Sequence, residues 1–143
     1  MISFRIHHKA MSKKNIIKDV KKVIDIEIEG IRKLYNSIDS NFEKAVIKLS
    51  TVKGRVIITG VGKSGHIAAK ISSSMSSTGT PSQSVSPTDL SHGDLGIVTK
   101  NDTLIIISNS GNSVELNKII DFAKRNSVTF IGISQNPKGK LLK

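Results

Sequence analysis

Cysteine is absent from the chain. Disulfides, thiolate catalysis and cysteine metal sites are therefore excluded. Tryptophan is absent as well, and one tyrosine with four phenylalanines brings the aromatic share to only 3%. So few rings cannot form a convincing base-stacking surface. The core must instead use Ile, Val, Leu and Ala, which suits a parallel sheet covered by helices. No apolar run reaches the roughly 18 residues of a membrane span, and the N-terminus has no apolar signal core. These absences point to a soluble, intracellular protein with no membrane partner. No carboxylate pair stands out for glycoside chemistry, and no Ser/His/Asp triad can be assembled from spacing alone. His7 and His8 are adjacent but have no carboxylate or further histidine nearby, so no metal site is expected.

At 143 residues the chain suffices for one domain and not for two. Its formal net charge of +11 raises the question of nucleic acid, which the placement of the charge answers. Residues 1–55 carry 13 basic and 6 acidic side chains, whereas residues 56–123 carry 4 and 5. The excess lies at the two ends, as solvated helix faces and a loose tail, and no nucleic-acid partner is expected.

Residues 1–13 read as a loose leader, and Met11 could be the native start. From about Lys14 to Tyr35, apolar residues recur as Ile17, Val20, Ile24, Ile28, Ile31 and Tyr35. These steps of three and four predict an amphipathic helix. A second helix is predicted over about 41–52, with Phe42, Ala45, Val46 and Leu49 inward. Arg55 to Thr59 reads as a first strand, Ser64 to Ser77 as a serine-rich helix, and Pro81 to Val85 as a short second strand. Leu104 to Ile107 is purely apolar, hence a central third strand. A helix over about 113–125 should bury Leu116, Ile119, Ile120 and Ala123, and Val128 to Ile133 is a fourth strand. Alternating strands and helices of this kind predict an α/β fold: a three-layer open parallel sheet flanked by helices, flavodoxin-like or Rossmann-like. After the fourth strand no covering helix follows, so the chain reads as C-terminally incomplete.

Two strands end abruptly in small and polar residues before a helix restarts. These are VIITGVGKSGH, residues 56–66, and TLIIISNSGNSVEL, residues 103–116. In an open α/β sheet ligands bind at this edge, and helix N-termini there favour phosphate. GVGKSGH is not a Walker A loop, since one residue rather than four separates Gly60 from Gly62-Lys63-Ser64. Its third glycine, Gly65, is out of register for a dinucleotide fingerprint. SNSGNS offers Ser108, Asn109, Ser110 and Ser113 around Gly111, either as phosphate donors or as a self-satisfying capping loop. His92, in PTDLSHGDLG, has a ring suited to proton transfer near neutrality. His66 at a helix start reads as packing or capping.

At these residues the chain resembles the sugar isomerase (SIS) domain family. GVGKSGHIAAKISSSMSSTGTPS, SPTDLSHGDLGIVT and IIISNSGNSVEL match the pattern of its arabinose 5-phosphate isomerase subfamily in order and spacing. The resemblance implies a five-stranded parallel sheet, of which about four strands are present here. The SIS domain would occupy residues 14–143, incomplete at its C-terminus, without the CBS modules that commonly follow. It further implies a cytoplasmic homotetramer that interconverts D-ribulose 5-phosphate and D-arabinose 5-phosphate through an enediol, supplying octulosonate (Kdo) for lipopolysaccharide. No cofactor is implied. By the same resemblance Gly62, Ser108, Asn109, Ser110 and Ser113 match phosphate-binding positions, Lys63 and Glu115 catalytic ones, and His92 a site histidine. The alternatives are an SIS isomerase of another sugar phosphate and a non-catalytic SIS sugar-phosphate sensor.

Overall fold

The computed structural model describes residues 15–91 and 93–143. The leader and His92 lie outside the described residues. The chain divides into two compact units, Met1–Ser40 and Asn41–Lys143.

In the first unit the predicted amphipathic helix forms as α1, Ile16–Ser37. Its apolar stripe is present but none of its residues is buried; Ile17 is 72% and Tyr35 80% exposed.

All of α2, Ser40–Ser50, but its first residue belongs to the second unit. Of its four expected core residues only Ala45 and Leu49 are half-buried, whereas Phe42 and Val46 are exposed. The reason is geometric: Leu49 and the following Val52 pack against the sheet core, so α2 reaches it with its C-terminal end rather than with a full face.

Four strands, β1 (Val56–Gly60), β2 (Ser82–Ser84), β3 (Thr103–Ile107) and β4 (Thr129–Ile133), form one sheet in the order β2-β1-β3-β4. All neighbours are parallel. The two central strands pair along their full length, from Val56 opposite Thr103 to Gly60 opposite Ile107. Their β-branched runs are buried on both faces, as an internal parallel strand requires. Alternation then divides the core. Val56, Ile58 and Ile105 pack with Ala68 of α3 (Lys63–Ser77). Ile57, Leu104 and Ile106 pack on the other side with Leu116, Ile119, Ile120 and Ala123 of α5 (Val114–Arg125) and Leu90 of α4 (Pro87–Ser91). Burying these side chains, at about 1.5–3 kcal/mol for each large aliphatic, is the main drive to the three-layer arrangement.

The small residues of α3 serve close approach. A Cβ on Gly65 would lie 2.8 Å from the Gly60 carbonyl, and the Ser82 hydroxyl donates to the Ser72 carbonyl at 2.6 Å. Edge strand β2 therefore holds α3 through serines instead of apolar side chains.

At the N-terminal rim, buried Asp102 ties the two central strands together. It accepts from the Arg55 N–H at 2.7 Å, the Thr99 N–H at 2.8 Å and the Thr99 hydroxyl at 2.9 Å. Burial pushes its carboxyl upward, but the backbone N–H groups of Arg55 and Thr99 and the Thr99 hydroxyl outweigh it, leaving the group below its ordinary value.

Candidate functional site

Chain direction across the sheet reverses between β1 and β3. From β1 the chain passes through α3 out to β2, and from β3 through α5 out to β4. The bends after β1 and β3 thus diverge from paired strand ends on one rim, leaving a crevice outside the carboxyl edge.

The first bend is tight because glycine is needed. Gly62 has φ +58°, and a Cβ on Gly60 would lie 2.8 Å from Ser64 Cβ and 2.9 Å from the Ile107 carbonyl. α3 then starts at Lys63 with Gly62 as its N-cap and no side-chain cap. The second bend is built from hydroxyls. Ser108 is buried, its Oγ accepts the Gly111 N–H at 3.1 Å, and its hydroxyl meets that of Ser113 at 3.2 Å. Ser113 is the N-cap of α5 but makes no capping bond. The Ser113 hydroxyl thus meets its neighbour rather than its own helix, while within the loop Ser108 Oγ and Ser110 Oγ accept the Gly111 and Asn112 N–H groups, so the loop satisfies part of its own backbone. Both helices thus open toward the crevice without a side-chain cap, a setting that favours an anion.

A third segment holds the second bend from behind. The Ser134 hydroxyl donates to the Asn109 carbonyl at 3.2 Å, and the Asn136 amide to the Ser110 carbonyl at 3.0 Å. The Lys140 N–H donates to Asn112 Oδ1 at 2.9 Å, and the Leu141 N–H to the Gly111 carbonyl at 3.0 Å. The loop is pinned mainly through its carbonyls, and its exposed Asn109 and Ser110 side chains make none of these four bonds.

Two cavities share Val61 at the crevice. One, of about 240 Å³, is lined by Val61, Ser64, Ile107, Ser108, Asn109, Ser110 and Ser113. It gathers four of the five expected phosphate-binding residues. The other, of about 330 Å³, is lined by Gly60, Val61, Gly62, Gly65, His66, Ser84, Val85, Ser86, Pro87, Thr88 and Glu115. Its size falls at the lower end of the roughly 300–1,000 Å³ of small-molecule sites. Gly62 and Glu115 are expected residues brought here. Lys63 lines neither cavity; its side chain is exposed at the first position of α3. His92 lies outside the described residues.

The wall Ser84–Thr88 and His66 have no site role in the sequence reading. Ser84 ends β2 and Val85 to Thr88 follow it, so only the strand order, which sets β2 beside β1, reveals their place. His66 belongs to neither apolar cluster and is exposed, so the packing expected of it is not found.

No group of three or more His, Asp or Glu able to hold a metal exists among the described residues. No helix among them is long and apolar enough to cross a membrane.

The SIS domain model matches residues 48–143. The chain is 50% identical over 119 residues to arabinose 5-phosphate isomerase KdsD of Francisella tularensis, an alignment covering 81% of this chain and 36% of that protein. The chain thus spans little more than a third of that relative's length. Among solved structures, the c3406 protein of E. coli CFT073, in complex with a sugar phosphate, superposes with a TM-score of 0.85 at 34% identity, covering 92% of this chain and 70% of that one. Tagatose-6-phosphate ketose/aldose isomerase from Escherichia coli superposes at 0.58 with 26% identity, covering 82% and 32%.

Proposed function

The chain belongs to the SIS domain family, and from that footing we propose that it forms the sugar-phosphate site of an aldose–ketose isomerase interconverting D-ribulose 5-phosphate and D-arabinose 5-phosphate. One observation carries the reading. The glycine bend after β1 and the serine bend after β3 stand side by side on one rim, and their cavities meet at Val61. A phosphate in the hydroxyl-lined cavity, with the carbon chain running past Val61, brings the reactive carbons toward Glu115. In this reading Gly62, Ser108, Asn109, Ser110 and Ser113 bind phosphate. The KdsD relatives and the sugar-phosphate complex of a structural neighbour support the choice of substrate.

The reaction requires ring opening, removal of a proton beside a carbonyl, and its return to the adjacent carbon. Glu115 moves that proton. The negative charge developing on oxygen needs a cation or donor, and Lys63 supplies it from the start of α3. His92 serves ring opening or hydroxyl positioning. The reading extends to a cytoplasmic homotetramer whose product enters octulosonate synthesis for lipopolysaccharide. A substrate panel on the whole protein tests it: pentose 5-phosphates against tagatose 6-phosphate and heptose phosphates. Turnover confined to the pentose pair is expected. Preference for another sugar phosphate, or binding without turnover, contradicts it.

A further inference from the structure

We propose that His66 carries protons between the two substrate oxygens during isomerisation, partnering Glu115 across the larger cavity. The inference rests on the isomerase reading above and adds to it a residue whose sequence context suggests only packing or capping.

His66 and Glu115 are the two titratable side chains among the described residues lining that cavity. They come from opposite faces of the sheet, His66 from the first turns of α3 and Glu115 from the first turn of α5. The imidazole packs in neither apolar cluster and makes no hydrogen bond among the described residues. The backbone N–H of His66 donates to the Gly62 carbonyl at 3.4 Å. An exposed ring with neither nitrogen engaged, lining the same ligand-sized space as a carboxylate-bearing residue, suits acid–base work. Lys63 stands three positions earlier on the same helix side, where its charge can act without its occupying the cavity.

The proton balance closes. Glu115 takes a proton from C1 of the ketose while the His66 imidazolium gives one to the carbonyl oxygen on C2, leaving the enediol. The neutral imidazole then takes the proton from the C1 hydroxyl as that carbonyl forms, and Glu115 returns its proton to C2. Both side chains finish in their starting states, and no redox partner is consumed.

The test compares wild type, His66→Asn, His66→Ala and Glu115→Gln in the whole protein with D-arabinose 5-phosphate. His66→Asn should lower kcat by about 10²–10⁴-fold with KM within about threefold, and added imidazole should restore part of the activity of His66→Ala. Thermal melting checks that each variant folds. A kcat within threefold of wild type, a loss confined to KM, or a folded His66→Ala unaffected by imidazole would each overturn the proposal. Failure of the underlying reading looks different: a folded wild type that isomerises no sugar phosphate, or a Glu115→Gln as active as wild type, removes the site and the His66 role with it.

Discussion

Gly111 and Gly139, 28 residues apart, meet backbone to backbone. A Cβ on Gly139 would lie 2.9 Å from Gly111 Cα, and one on Gly111 would lie 3.1 Å from Gly139 Cα. Gly111 also has φ +67°. The serine bend thus rests on the segment after β4 with no side chain between them, and its shape depends on both glycines.

Gly111→Ala should therefore lower stability by about 2–3 kcal/mol, combining the left-handed backbone cost with the displaced contact. Gly139→Ala, whose φ is −65°, suffers only from the contact and should lose less. Both should weaken sugar-phosphate binding. Chemical denaturation with calorimetric titration checks the order of the two.

Ser108 and Asn109 should separate stability from binding. Ser108→Ala removes the buried acceptor of the Gly111 N–H, so a loss of about 1 kcal/mol should accompany weaker binding. Asn109 is exposed, and Asn109→Ala should leave the melting temperature within about a degree while raising the Kd for D-arabinose 5-phosphate severalfold.

Asp102 governs acid stability. Its folded pKa lies below the ordinary value, so its contribution is fully present above the unfolded value of about 3.9. That contribution is lost as pH falls through the lower folded value. Asp102→Ala should cost about 2–4 kcal/mol near neutrality, since three donors lose their acceptor. It should also flatten the fall in stability below about pH 4, as urea unfolding at several pH values would record.

Lys63→Ala should abolish turnover in the whole protein without unfolding it, because the side chain is exposed and packs in neither core cluster. Retained activity in a steady-state assay would remove Lys63 from the mechanism.

The central strands are legible in the sequence to within a residue. Runs such as Val56 to Thr59 and Leu104 to Ile107 are apolar on both faces, and no surface element shares that pattern. The serines of α3 are legible as close approach to the sheet. Phe42 and Val46 mislead because periodicity marks an apolar face without saying whether the sheet reaches it. His66 reads as a packing or capping residue because its exposure and its sharing of a cavity with Glu115 depend on strand order, which a local motif does not carry. The brace from Ser134 to Leu141 escapes a sequence reading because most of its bonds run to backbone carbonyls, which leave no residue pattern.

Amide chemical shifts of the chain titrated with D-arabinose 5-phosphate test the shared rim most directly. Perturbations should concentrate at Gly62, Gly65, Ser108 to Ser113 and Glu115, saturating with a single Kd. Shifts confined to one bend, or centred on the opposite rim near Lys53 and Lys100, would contradict a substrate held between the two.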